Sequence, residues 1–218
     1  MATIDPTSDV SILQLKVTLL GVEPSVWRRL LVPASITLTE LHFVINEALG
    51  WSCAQLHTFT EGARKFGDPE LDPDNAHQYE DENEVTLESL VKVGQKLTYA
   101  YDLSDEWEHE ILVEQRVALD PRTAYPLCIG GARACPPEDC EGPEGYKLFL
   151  AAMGDPSHPE HDQMREWIGG YFDPEGFDAN RTNLAIRHMY ECPDCEGCDD
   201  ESCDCDHKGH SHSHDHDN

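Results

Sequence analysis

The sequence predicts an α+β fold: an antiparallel sheet with helices packed against it, followed by a disordered C-terminal tail. Three observations carry this. Residues 10–20 alternate between apolar and polar, residues 95–119 read as a β-hairpin, and most of the helical periodicity falls after residue 144. Strands first and helices last, joined by hairpins, is the order of an α+β domain.

From Val10 to Leu20, Leu13, Leu15, Val17 and Leu19 alternate with Ile12, Gln14, Lys16 and Thr18, the period of two of a strand. A turn over Gly21–Pro24 leads to a second strand, Val26–Val32, which Pro33 ends. Thr37 and Glu40 then form a capping-box pattern ahead of Leu38, Leu41, Val44, Ile45, Ala48 and Leu49, and Gly50 supplies the stop of a helix. Leu56–Thr60 reads as a short strand. The segment from Gly62 to Glu84 is polar, rich in Asp and Pro, and reads as loop, while Thr86–Val91 forms one helical turn before Gly94.

In the hairpin, a turn made by Ser104, Asp105 and Glu106 sets Leu103 opposite Trp107, Tyr101 opposite His109, Tyr99 opposite Ile111 and Leu97 opposite Val113. Those eight side chains share one apolar face. The same register places Asp102 opposite Glu108, a like-charge pair that calls for a cation nearby. Arg28 and Arg29, which a strand points to opposite faces, are the candidates to supply it. Beyond Asp120 the chain reads as a long irregular segment through Tyr146, and helices follow at 145–153, 160–168 and 179–190.

The chain of 218 residues carries 43 acidic against 15 basic residues, a formal charge of −28. Binding to nucleic acid or to an anionic membrane relies on Lys and Arg, so this balance argues against both. No run approaches the roughly 20 apolar residues of a spanning helix, and the N-terminus lacks the pattern of a signal peptide, so the expected location is the cytoplasm. Three regions are expected: a flexible N-terminus at 1–9, a domain at 10–190, and a tail at 191–218 whose composition changes abruptly.

The tail holds five of the nine cysteines, five of the twelve histidines and no large aliphatic or aromatic side chain. It has no apolar surface with which to offset the entropy of ordering. Cys192, Cys195 and Cys198 form a CxxCxxC series, Cys203 and Cys205 follow, and His207, His210, His212, His214 and His216 close the set. Two-residue separations let thiolates converge on one ion. Sulfur with imidazole nitrogen favours zinc, with nickel or copper(I) as the other ions such donors take. Binding requires deprotonated thiols and therefore releases protons.

A second candidate metal site is internal: Cys128, Cys135 and Cys140, with His109 or His57 as fourth ligand, a donor set that matches a closed zinc site. The same cysteines also fit as small buried apolar side chains. His109 lies on the apolar face of the hairpin, where it reads either as a core histidine bonded to Tyr101 or a backbone carbonyl, or as part of a cluster with Asp102, Asp105 and Glu108 suited to metal-assisted hydrolysis. Asp102 and His109 are the candidate catalytic pair. Glu138 and Asp139 can join either site or cap the following turn. No phosphate loop, nucleophile elbow or HExxH motif occurs.

Four phrases, LKVTLLGVEPSVWRRLLVP, LTYAYDLSDEWEHEI, YPLCIGGARACPPEDCEGPEGY and WIGGYFDPEGFD, together resemble the plasmid pRiA4b ORF-3-like family over about Val10–Tyr190. The resemblance implies a compact α+β domain, and some members carry labels tying them to transposon resolvases or mobile-element passenger proteins. Two departures stand out. Leu103 and Ser104 occupy the place of the family's aromatic and glycine in YDFGD, and Glu141 with Gly142 that of its double glycine. The Cys/His tail is an appendage to the family domain.

Three functions compete on these residues. The first is a metal-binding accessory or interaction protein whose tail captures zinc or nickel, with metal ions and a basic protein as partners. The second is a metal-dependent hydrolase built on Asp102, His109 and the loop cysteines. The third is an accessory to a mobile-element DNA transaction that does not bind DNA directly. The first is the expected one.

Overall fold

A computed structural model describes residues 11–191 except 72 and 74. The alternation at the start of the chain makes strand β1, Ser11–Leu19, whose Leu13, Leu15, Val17 and Leu19 are buried while Gln14, Lys16 and Thr18 reach the surface. β2, Trp27–Pro33, returns antiparallel beside it. Helix α1, Leu38–Leu49, begins with the expected capping box: the Thr37 hydroxyl accepts from the Glu40 N–H, and the Glu40 carboxylate accepts from the Thr37 N–H. Gly50, at φ 84°, ends it in the left-handed conformation that glycine adopts without penalty.

The remaining strands are β3 (His57–Glu61), β4 (Arg64–Gly67), β5 (Glu80–Asp81), β6 (Lys96–Tyr101), β7 (Trp107–Ala118) and β8 (Leu127–Ala132). They form one eight-stranded sheet in the order β5-β4-β3-β6-β7-β1-β2-β8, antiparallel throughout except for the β4–β5 pair. The other helices are α2 (Leu87–Leu90), α3 (Gly142–Gly154), α4 (His161–Trp167) and α5 (Ala179–Glu191). α1 packs against α5, which also meets β8, and α3 packs against α4. The apolar face of α1 and the inward residues of β1, β2, β6 and β7 build the core.

The hairpin face is the expected one, but its register is shifted by two residues. Tyr101 lies opposite Trp107, Tyr99 opposite His109 and Leu97 opposite Ile111. A shift of two preserves which strand side chains share a face, so the apolar side survives except for Leu103. The turn is longer than Ser104–Glu106 because Asp102, at φ 50°, leaves the strand and binds the Ser104 N–H and hydroxyl through Oδ1. Leu103 is consequently exposed, and Glu108 faces Ala100 rather than Asp102. No like-charge conflict arises, so the arginines have other partners. The segments at 62–84 and 121–146 are also more ordered than their composition suggests, the first supplying β4 and β5 and the second the edge strand β8. No described helix is long and apolar enough to cross a membrane.

Candidate functional site

The residues singled out for chemistry are dispersed by the fold. Asp102 stays in its turn, bonded to Ser104, whereas His109 is fully buried at the other side of the hairpin between Trp51, which meets it edge-on at 5.4 Å, and Tyr99. The backbone of Tyr99 and Trp107 flanks the imidazole and offsets part of the effect of burial, as the expected backbone partner would, but neither ring nitrogen reaches good hydrogen-bond geometry and neither bonds Tyr101. Burial pushes the His109 pKa down to about 4. Asp102 and His109 therefore share no hydrogen bond.

Cys128 is buried in β8 with its thiol 3.5 Å from the Gly130 carbonyl, Cys135 is half-buried, and Cys140 is buried among Asp105, Asp139 and Glu141. Burial pushes all three thiols up, Cys140 to about 12, and the acids around Cys140 add to the effect. Among the described residues no three His, Cys, Asp or Glu side chains are arranged to hold a metal ion. The set of Cys128, Cys135, Cys140 and His109 is thus not gathered, because β8 carries Cys128 along the sheet edge while His109 sits in the sheet interior. His57 is engaged with Glu82 instead. Glu138 accepts from the Ser52 N–H and hydroxyl and from the Tyr101 hydroxyl, fastening the Pro136–Asp139 segment over the aromatic wall. The tail donors, Cys192 through His216, lie outside the described residues.

Sequence reasoning missed two polar groupings. One is inside the core, where the His42 and His57 rings stack at 3.5 Å and nearly parallel. His42 Nδ1 lies 2.8 Å from the Tyr99 hydroxyl, and the Asn46 amide donates to that hydroxyl and to the His42 carbonyl. Burial, followed by the neighbouring His57, holds the His42 pKa down to about 2. The i, i+4 spacing of His42 and Asn46 on an otherwise apolar helix face was the available signal.

The other surrounds Arg28. The Arg28 side chain leaves β2 toward the core and is only 4% exposed. Its Nε donates to the Ala48 carbonyl at the end of α1, and its Nη1 donates to the carbonyls of Trp27 and Ala132. The guanidinium also lies over the Phe177 ring at 4.6 Å. Arg29, on the other face, forms a fork with Glu114 at 2.7 and 2.8 Å and holds that carboxyl down to about 2. The two arginines therefore point to opposite faces as the strand requires, but neither pairs with Asp102 or Glu108. Arg28 borders an open cleft of about 900 Å³ between the end of α1, the Ala134–Cys135 segment, the 171–178 loop and α5. Trp51, Tyr171, Phe172 and Phe177 give it aromatic walls.

Comparison with known proteins gives consistent relatives. Residues 11–181 match the family model described as plasmid pRiA4b ORF-3-like protein. An uncharacterised protein of Sinorhizobium fredii, y4hQ, is 38% identical over 179 residues, which cover 81% of this chain and 91% of the relative. The crystal structure of MM3350 from Methanosarcina mazei, a protein of unknown function, is similar at a TM-score of 0.73 and 30% identity, covering 78% of this chain and 97% of the other.

Proposed function

The chain belongs to the plasmid pRiA4b ORF-3-like family, and from that premise we propose that it is a cytoplasmic metal-binding accessory or interaction protein whose tail collects zinc, with nickel or copper(I) as alternative ions. The observation that carries this reading is the donor spacing of the tail, CxxCxxC followed by CxC and five closely set histidines. The chemistry of the domain supports assigning metal to the tail. Its cysteines are buried or half-buried with raised thiol pKa values, which disfavours the thiolate that a metal needs. An acidic surface also suits a basic protein partner, whose approach it would accelerate.

The test is metal content by elemental mass spectrometry, on the full chain purified under reducing conditions beside a full-length variant with serine at 192, 195, 198, 203 and 205. The expected result is bound zinc in the parent and loss of most of it in the variant. Equal metal content in the two proteins would overturn the reading.

A further inference from the structure

We propose that the cleft at Arg28 is a binding site for a small organic anion, a carboxylate or phosphate carried on an aromatic or apolar body. The inference is independent of metal binding by the tail. It starts from an imbalance at the guanidinium. Three of the five Arg28 N–H groups are engaged, one from Nε and two from Nη1, each with a backbone carbonyl. Among the described residues Nη2 makes no hydrogen bond and no carboxylate forms an ion pair with the side chain. Burial lowers its pKa, and the titratable groups beside it are the thiols of Cys135 and Cys128, which their own burial keeps in the neutral form. A buried cation without an anionic partner is costly, and an anion that pairs with it offsets that cost.

The surroundings define what completes it. Arg28 borders the cleft, so an anion entering there approaches a guanidinium already fixed by three carbonyls, with Nη2 left to donate to it. The volume of about 900 Å³ lies within the range of small-molecule sites. Trp51 and Phe177 supply flat apolar surface next to the cation, and Tyr171, 87% exposed, stands at the rim. Arg181 and His188 of α5 add positive or protonatable groups along one wall.

Three acids also border the cleft. Asp178 caps α5, accepting from the N–H groups of Asn180 and Arg181. Asp173 accepts from the Glu175 N–H. The Glu47 carboxyl is raised by burial, which favours its neutral form, although His188 nearby opposes this. None of the three lies against Arg28, so the anionic head is drawn to the arginine end.

The experiment is calorimetric titration of the full chain with benzoate, phenyl phosphate, inorganic phosphate and the neutral analogue benzamide. Because Arg28 ties three segments together, Arg28→Lys is paired with Ala185→Trp, which fills the cleft from α5 and leaves the arginine in place. Binding of benzoate or phenyl phosphate at millimolar concentration is expected, at least tenfold tighter than benzamide, and reduced at least tenfold by Ala185→Trp. The proposal is overturned if no aromatic anion binds, if benzamide binds as well as benzoate, if inorganic phosphate alone matches phenyl phosphate, or if the folded Ala185→Trp protein binds undiminished.

Discussion

His57 and Glu82 meet inside the core, with the imidazole Nε2 3.0 Å from each carboxylate oxygen and side chains only 4% and 1% exposed. This contact ties the short helical turn at 82–84 to β3 and places His57 for its stack on His42. Removing one member of a buried polar pair leaves the other unsatisfied, at about 1–3 kcal/mol and more where a charge is involved. Glu82→Ala is therefore expected to lower unfolding free energy by about 3 kcal/mol, and Glu82→Gln, which keeps an acceptor, by clearly less. Urea denaturation of the three proteins checks the order, and equal stabilities would remove the pair from the account.

Acid sensitivity follows from the two buried histidines with depressed pKa values. His109 and His42 take up a proton at about 4 and about 2 in the folded state, against about 6.5 when unfolded. The unfolded chain thus binds more protons below pH 6.5, so stability is whole above that value and is lost as pH falls toward 4 and then 2. Each residue lowers stability by about 2 kcal/mol between pH 7 and pH 5. His109→Leu, which also removes two unsatisfied buried nitrogens, is expected to flatten that fall by about the same 2 kcal/mol. Denaturation at both pH values reads it, and an unchanged slope would show that His109 is not held neutral.

Opposite effects are expected at the N-cap and the first residue of α3. Glu141 sits at φ 61°, in the left-handed region that costs a side chain about 1–2 kcal/mol. Glu141→Gly should stabilise the protein by about 1 kcal/mol. At Gly142, φ 74°, a Cβ would come within 2.4 Å of the Asp105 carbonyl oxygen, so Gly142→Ala should destabilise it. Thermal melts of the two variants should therefore move in opposite directions, and a shift of both in the same direction would contradict the backbone geometry.

Gly131 is required by the seating of Phe177. A Cβ there would lie 2.7 Å from two atoms of the Phe177 ring and 2.9 Å from the Trp27 carbonyl oxygen. Gly131→Ala is expected to push the ring away from Arg28 and to cost about 1–3 kcal/mol, the range for overpacking. The expected structural signature is a displaced Phe177 in a crystal structure of the variant. An unmoved ring with unchanged stability would refute it.

Much of the sheet was legible because burial imposes a period of two on β1 and β7, and the start of α1 because Thr37 and Glu40 exchange hydrogen bonds locally. Register was not, since a shift of two residues leaves every paired side chain of the hairpin on its face, and only the departure of Asp102 from the strand fixes the pairing. β8 was hidden by its double glycine and lack of alternation, features tolerated at a sheet edge. The Arg28 cleft was illegible for another reason. Its walls come from α1, the 134–135 segment, the 171–178 loop and α5, and the side chains meet only through tertiary packing. The strand pattern of VWRRLL does give the opposite orientations of Arg28 and Arg29, but not their partners.

The strand order sets a condition on how this chain is made. β1 pairs with β2 on one side and with β7 on the other, so Leu19 awaits His109 and Ser11 awaits Ala118. On the ribosome, the first hairpin emerges with one row of backbone N–H and C=O groups unpaired until residues 107–118 have been synthesised. An apolar strand edge left open for that interval is a template for pairing with other chains. The nascent protein is thus most vulnerable to aggregation before β7 arrives, and a chain truncated ahead of residue 107 should be the form that cells find hardest to keep soluble.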